Sequence, residues 1–116
     1  MMKKMYLFIM IIILLSTFVF AAAWDTDGVI TIGSGTTADN VTLSNNVYGI
    51  YATPTDNTTY SAATMNTLGT KKYGGASDST VIYYSDCANT PCGTGENAPN
   101  LTGSSSDFSG WTELGK

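Results

Sequence analysis

From Trp24 onward the chain is a succession of short β-branched and aromatic runs, each closed by a turn signal, and none forms an amphipathic stretch long enough for a helix. GVITIGSG predicts a strand at Val29 to Ile32, ended by Gly33 and Gly35. NNVYGIYAT predicts a second at Val47 to Thr53, ended by Pro54, Asp56 and Asn57. TTYSAATMNT is ambiguous by period, because Ala62, Met65 and Leu68 also fit a helical stripe; its threonine density favours a third strand. TKKYGG supplies a short fourth and STVIYYSD the clearest of all. Runs roughly ten residues apart give the expected fold class: mainly β, a single antiparallel meander sheet.

The segment before Trp24 is of another kind. Lys3 and Lys4 precede an uninterrupted apolar run from Met5 to Leu15, Ser16 and Thr17 loosen it, and Ala21, Ala22 and Ala23 end it. These are the parts of a secretory signal peptide, with small residues at Ala21 and Ala23 for the peptidase. The reading divides the chain into a signal peptide, 1–23, and a β-rich exported domain, 24–116, that starts at Trp24. A helix from Met5 to Ala23 would have about 19 residues and rise roughly 28 Å, close to a bilayer core, so retention as an anchor is physically open. The absence of Lys or Arg directly behind the run favours cleavage, which leaves no stable membrane anchor. A prepilin helix is cut after Gly and keeps a Glu near its new terminus; the apolar segment holds neither.

Cleavage leaves Lys71, Lys72 and Lys116 against nine carboxylates, a net charge of −6. With no Arg and no basic patch, a nucleic-acid partner is not expected, nor is an anionic membrane surface. The chain also has no His. Ser-His-Asp and Cys-His chemistry and His-ligated metals are therefore excluded by residue type, and the scattered acids suggest no glycosidase pair. No catalytic, cofactor-binding or metal residue is expected, and the protein is read as no enzyme.

Cys87 and Cys92, in SDCANTPCGTG, lie in the exported part, where a disulfide between them is the default. Closing about six residues contributes roughly 2 kcal/mol. DTDG at Asp25 to Gly28 has the opening of a calcium loop without its closing Glu, and reads as a turn. The N-x-[ST] triplets at Asn40, Asn57 and Asn100 are what an Asn-, Ser- and Thr-rich chain yields by chance.

Val81 to Tyr84 are apolar on both faces, which predicts a central strand covered on each side. An exported domain of about 93 residues buries only roughly 60 to 65% of its unfolded surface. Its second layer is expected from the N-terminal strand with SDFSGWTEL folded back, or from another chain. Tyr48, Tyr51, Tyr83, Tyr84 and Trp111 are the candidate interface residues, for association or for stacking on a sugar.

LSNNVYGIYA, then TYSAATMNTLGTKKYGGASDSTVIYY, then LTGSSSDFSGWTEL, over about residues 41–114, resembles the globular partner (PilA-C type) of split type IV pilins. The resemblance rests on Leu43 to Val47, a Lys72-Tyr73-Gly74 turn, Ile82 to Tyr84, and Phe108, Trp111 and Leu114. It implies a pilin-head-like fold and a structural subunit of a pilus-like filament, in the periplasm or at the cell surface. The implied partners are a short helical pilin, to which the chain supplies the head, and its filament neighbours. The competing reading is an independent secreted β module that binds carbohydrate or protein through exposed aromatics.

The expected terminus is testable by intact mass on protein from native cells. A mass that begins at, or within a residue or two of, Trp24 is expected; a mass that retains Lys3 through Phe20 would show an anchor instead.

Overall fold

A computed structural model of the chain describes residues 22–33, 36 and 38–115. The signal-peptide reading therefore falls almost wholly outside the described residues. Two antiparallel sheets form. β1 (Val29–Ile32) and β2 (Asp39–Thr42) make a hairpin, with Val29 opposite Thr42 and Ile32 opposite Asp39. β3 (Val47–Ala52), β4 (Ser61–Asn66), β5 (Lys71–Ala76), β6 (Tyr83–Asp86) and β7 (Thr112–Glu113) follow in sequence order as a five-stranded meander. The meander is the expected fold, joined by the β1–β2 hairpin as a second sheet; β2, exposed throughout with Val41 its one apolar residue, and the two-residue β7 carry no apolar run and were not legible as strands.

β4 decides the ambiguous third run. Ser61, Ala63 and Met65 are buried while Ala62 and Thr64 are only partly covered, which is the period of two that a strand imposes. Leu68, the last member of the rival helical stripe, is exposed in the following turn. That turn is held by Asn66, whose side chain accepts from Leu68 N at 2.9 Å and whose carbonyl accepts from Gly69 N at 2.9 Å.

Two sequence expectations need correction. The Lys72-Tyr73-Gly74 stretch lies inside β5 and is no turn. Val81 and Ile82 precede β6, which begins at Tyr83 and has only β7 beyond it, so this is no central strand covered on both sides. Val81 N donates to Ser79 Oγ at 3.2 Å, and that local turn spends the backbone group a longer strand would need.

One face of the meander is closed by the chain itself. Ala63, Met65 and Ala76 point into a core completed by Phe108, Cys92 and Trp24, with Tyr48, Ile50, Tyr83, Leu101 and Trp111 packed around it. Phe108, 2% exposed, ends a 3-10 turn at Ser105–Phe108 and lies on Gly74, where an added Cβ would come within 2.2 Å of its ring. Tyr83 stacks on it at 5.3 Å and Trp111 meets it edge-on at 5.1 Å. The folded-back SDFSGWTEL segment is thus the layer on this face. The N-terminal hairpin goes to the opposite face, where Ile30 fills the space above Gly49.

Asp107 ties the C-terminal layer to the sheet. Its Oδ2 accepts from Ser61 Oγ at 2.7 Å and from the backbone N–H groups of Thr102, Gly103 and Ser104, while Oδ1 accepts from Thr102 Oγ1 at 2.6 Å. Burial pushes its pKa up, but these donors, led by the Thr102 and Ser61 hydroxyls, outweigh it and hold it at about 2. The disulfide Cys87–Cys92 is formed, and its loop docks on the β4–β5 turn through Cys87 N to Thr70 O, Cys92 N to Gly69 O and Gly93 N to Thr67 O.

Two outcomes follow. Because the folded pKa of Asp107 lies below its ordinary 3.8, its stabilisation is complete above that pH and is lost as pH falls toward about 2. Asp107→Asn should therefore melt at a lower temperature than the parent at neutral pH and lose less further stability on acidification, as read by circular dichroism. Replacing both Cys87 and Cys92 by Ser should cost about 2 kcal/mol in denaturant unfolding and keep a cooperative transition; loss of that transition would show that the loop is needed for the core to form at all.

Candidate functional site

Strand register sorts the side chains of the other face into rows. Tyr51, Ala62 and Gly75 are cross-strand neighbours in one; Gly49, Thr64, Tyr73, Tyr84 and Thr112 form the next. Among the described residues, Ile30 and Leu43 of the hairpin region cover Gly49, and Thr31 and Gly33 lie beside Tyr51. Over β4 and β5 the face carries only Ala62, Thr64 and Gly75 between taller neighbours, leaving a shallow trough of about 210 Å³ flanked by Tyr73 and Ile82. Tyr73 is 42% exposed, Ile82 49% and Leu114, beside Ile82 through its N–H to the Ile82 carbonyl, 54%. Large apolar groups stand in water here at the rim of a floor too small to bury them.

One end of the face is polar. Lys71 is hydrogen-bonded to Asp86 and sits 4.9 Å from the centre of the Tyr84 ring. The bond to Asp86 holds the Lys71 ammonium above its ordinary pKa against a small opposing loss of solvent. Both groups are accessible, so the pair orients Tyr84 more than it stabilises the fold.

The five candidate interface residues divide between the two faces. Tyr48, Tyr83 and Trp111 pack against the core, Tyr83 with its hydroxyl 3.1 Å from Ser79 Oγ and Trp111 under Lys72. Tyr51 and Tyr84 share the outer face. The structure adds Tyr60, Tyr73, Ile82 and Leu114 to that face. The signal for them was alternation: with Met65 inward, Ala62 and Thr64 are outward, and their partners Gly75 and Tyr73 follow.

The buried Glu96 and half-buried Asp107 carboxylates are fully engaged. Glu96 receives Lys72 Nζ at 2.7 Å on one oxygen and Ala88 N at 2.9 Å on the other, and its backbone carbonyl accepts from Trp24 Nε1 at 3.0 Å. Burial alone would raise its pKa, and the Lys72 and Ala88 bonds bring it below the ordinary value. Neither Glu96 nor Asp107 presents a free oxygen to a substrate. At Asp25 to Gly28 the acids serve a turn, Asp27 N donating to Asp25 Oδ1 at 3.3 Å and Gly28 adopting φ +79°. Among the described residues no three His, Cys, Asp or Glu side chains are grouped to hold a metal ion, and no helix is long and apolar enough to cross a membrane.

Comparison with family models, with curated proteins and with solved structures returns no match to this chain.

Proposed function

We propose that this protein is a non-enzymatic structural subunit of a pilus-like filament at the cell surface or in the periplasm, the detached globular head of a short helical pilin. The observation that carries the reading is the open sheet face. The described residues close the Phe108 side with the C-terminal layer and leave the trough between Tyr73 and Ile82 uncovered. Ala62, Thr64 and Gly75 let a helix approach the sheet closely, and the rim side chains flank its apolar stripe. At about 25 cal/mol per Å² of apolar area, covering 400 Å² would contribute roughly 10 kcal/mol before ordering costs. That is on the scale of the entire stability of a small domain. The acidic charge elsewhere suits a subunit that must stay soluble until it assembles. The disulfide supports export to an oxidising compartment.

The test is co-expression with a short helical pilin encoded in the same genome. The parent should co-purify with it and melt at a higher temperature in its presence. Thr64→Arg, which places a charge in the trough, should abolish co-purification while the isolated domain melts within a few degrees of the parent. A parent that never co-purifies, and melts identically with and without the helical chain, would overturn the reading.

A further inference from the structure

At one end of the outer face the β3–β4 loop builds a second feature, distinct from the trough. Tyr51 and Tyr60 stand with ring centres 5.9 Å apart and planes inclined at 33°, forming the aromatic wall of a cleft of about 470 Å³. Gly33 of the hairpin and hydroxyl and amide residues, among them Thr53, Asn57, Thr58 and Ser77, supply the rest of the described lining. No lining side chain is charged.

The loop is held in place by its own hydrogen bonds. Thr53 Oγ1 donates to Thr59 O at 2.7 Å, and Asp56 Oδ1 accepts from both Thr58 N and Thr58 Oγ1. Asn57 takes φ 54° at the tip, its N–H bonded to Pro54 O. From below, Gly103 packs so closely on Pro54 that an added Cβ would lie 2.4 Å from its ring, which couples the loop to the Asp107 network. Ser77 and Tyr60 exchange two bonds, Ser77 N to Tyr60 O and Tyr60 N to Ser77 Oγ, each 2.9 Å.

What remains unspent points to the ligand. The hydroxyls of Tyr51 and Tyr60 and the Asn57 amide make no bond to another described residue, Ser77 Oγ keeps its proton to donate, and Tyr60 is 50% exposed. A helix has no use for such groups, since its backbone is satisfied internally. A sugar ring has both complements: an axial C–H face for an aromatic wall and a ring of hydroxyls that need donors and acceptors. We propose that this cleft binds a neutral oligosaccharide, with Tyr51 and Tyr60 stacking on a sugar ring while Asn57 and Ser77 bond its hydroxyls. The inference stands apart from the filament reading, which uses the trough.

The experiment is an NMR titration of the isotope-labelled exported protein with cellohexaose, maltohexaose, mannohexaose and chitohexaose in turn. At least one should give saturable shifts that map to Tyr51, Asn57, Tyr60 and Ser77 and leave the Phe108 and Trp111 signals in place. Tyr60→Ala should weaken binding by about tenfold, the effect of losing one stacking contact, with a dispersed spectrum that reports an intact fold. Asn57→Gly, which keeps the left-handed backbone and deletes the amide, should weaken it by a smaller factor. Absence of saturable shifts from all four at millimolar concentration, shifts that map elsewhere, or a Tyr60→Ala variant that binds as the parent does, would each overturn the proposal. Co-purification of Tyr60→Ala with a helical pilin is read separately, so the two proposals fail independently.

Discussion

The ring of Phe108 on the bare backbone of Gly74 is the contact on which the rest of this structure depends. A domain this small and this short of aliphatic side chains cannot fill a core with Leu and Ile, so it lays one aromatic directly on the sheet and builds outward from it. Tyr83 and Trp111 stack and abut the ring, and Met65 and Ala63 fill in beside it. The ring can lie so low because β5 carries a glycine at that position. Asp107, the residue before it, then converts proximity into a fixed attachment by collecting donors from Ser61 and from the chain on both sides of Gly103.

That arrangement makes the two faces of the meander unequal. The inner face is finished by the C-terminal segment, with Glu96 and Lys72 as a buried pair and the disulfide loop docked at its end. Among the described residues, the N-terminal hairpin covers the outer face along β3, where Ile30 and Leu43 reach over Gly49 and Thr31 and Gly33 lie beside Tyr51. Everything that makes this protein a candidate for binding lies on the uncovered part: a small-residue floor with an apolar rim over β4 and β5, and a tyrosine-walled cleft beneath the β3–β4 loop. Glu96 and Asp107, which in another fold would be the first place to look for catalysis, are spent on holding the inner layer down.

Much of this was legible one residue at a time. The runs at Val29 to Ile32 and from Val47 locate β1 and β3, because turn residues and β-branched runs act over a few positions, and two cysteines in a part read as exported predict the Cys87–Cys92 bond. Strand length after Ser79 was not legible, since it depended on which acceptor Val81 N would find. The division of the aromatics was not legible either. Tyr83 and Tyr84 are adjacent and chemically identical, yet one stacks on Phe108 and the other faces solvent beside Lys71.

By itself, the sequence determined a mainly β domain, acidic, without histidine, and stapled at one loop. Those properties follow from residue types and from local turn chemistry. Only the tertiary structure decided which face was closed and which left open. In a strand, parity alone assigns a side chain to a face, and which parity faces the core is settled by the segment that folds back on the sheet, here the one that ends in Phe108. Nothing local to Ala62, Thr64 or Gly75 marks them as the floor of an open surface; they became one because Asp107 and Phe108 committed the chain's covering layer to the other side.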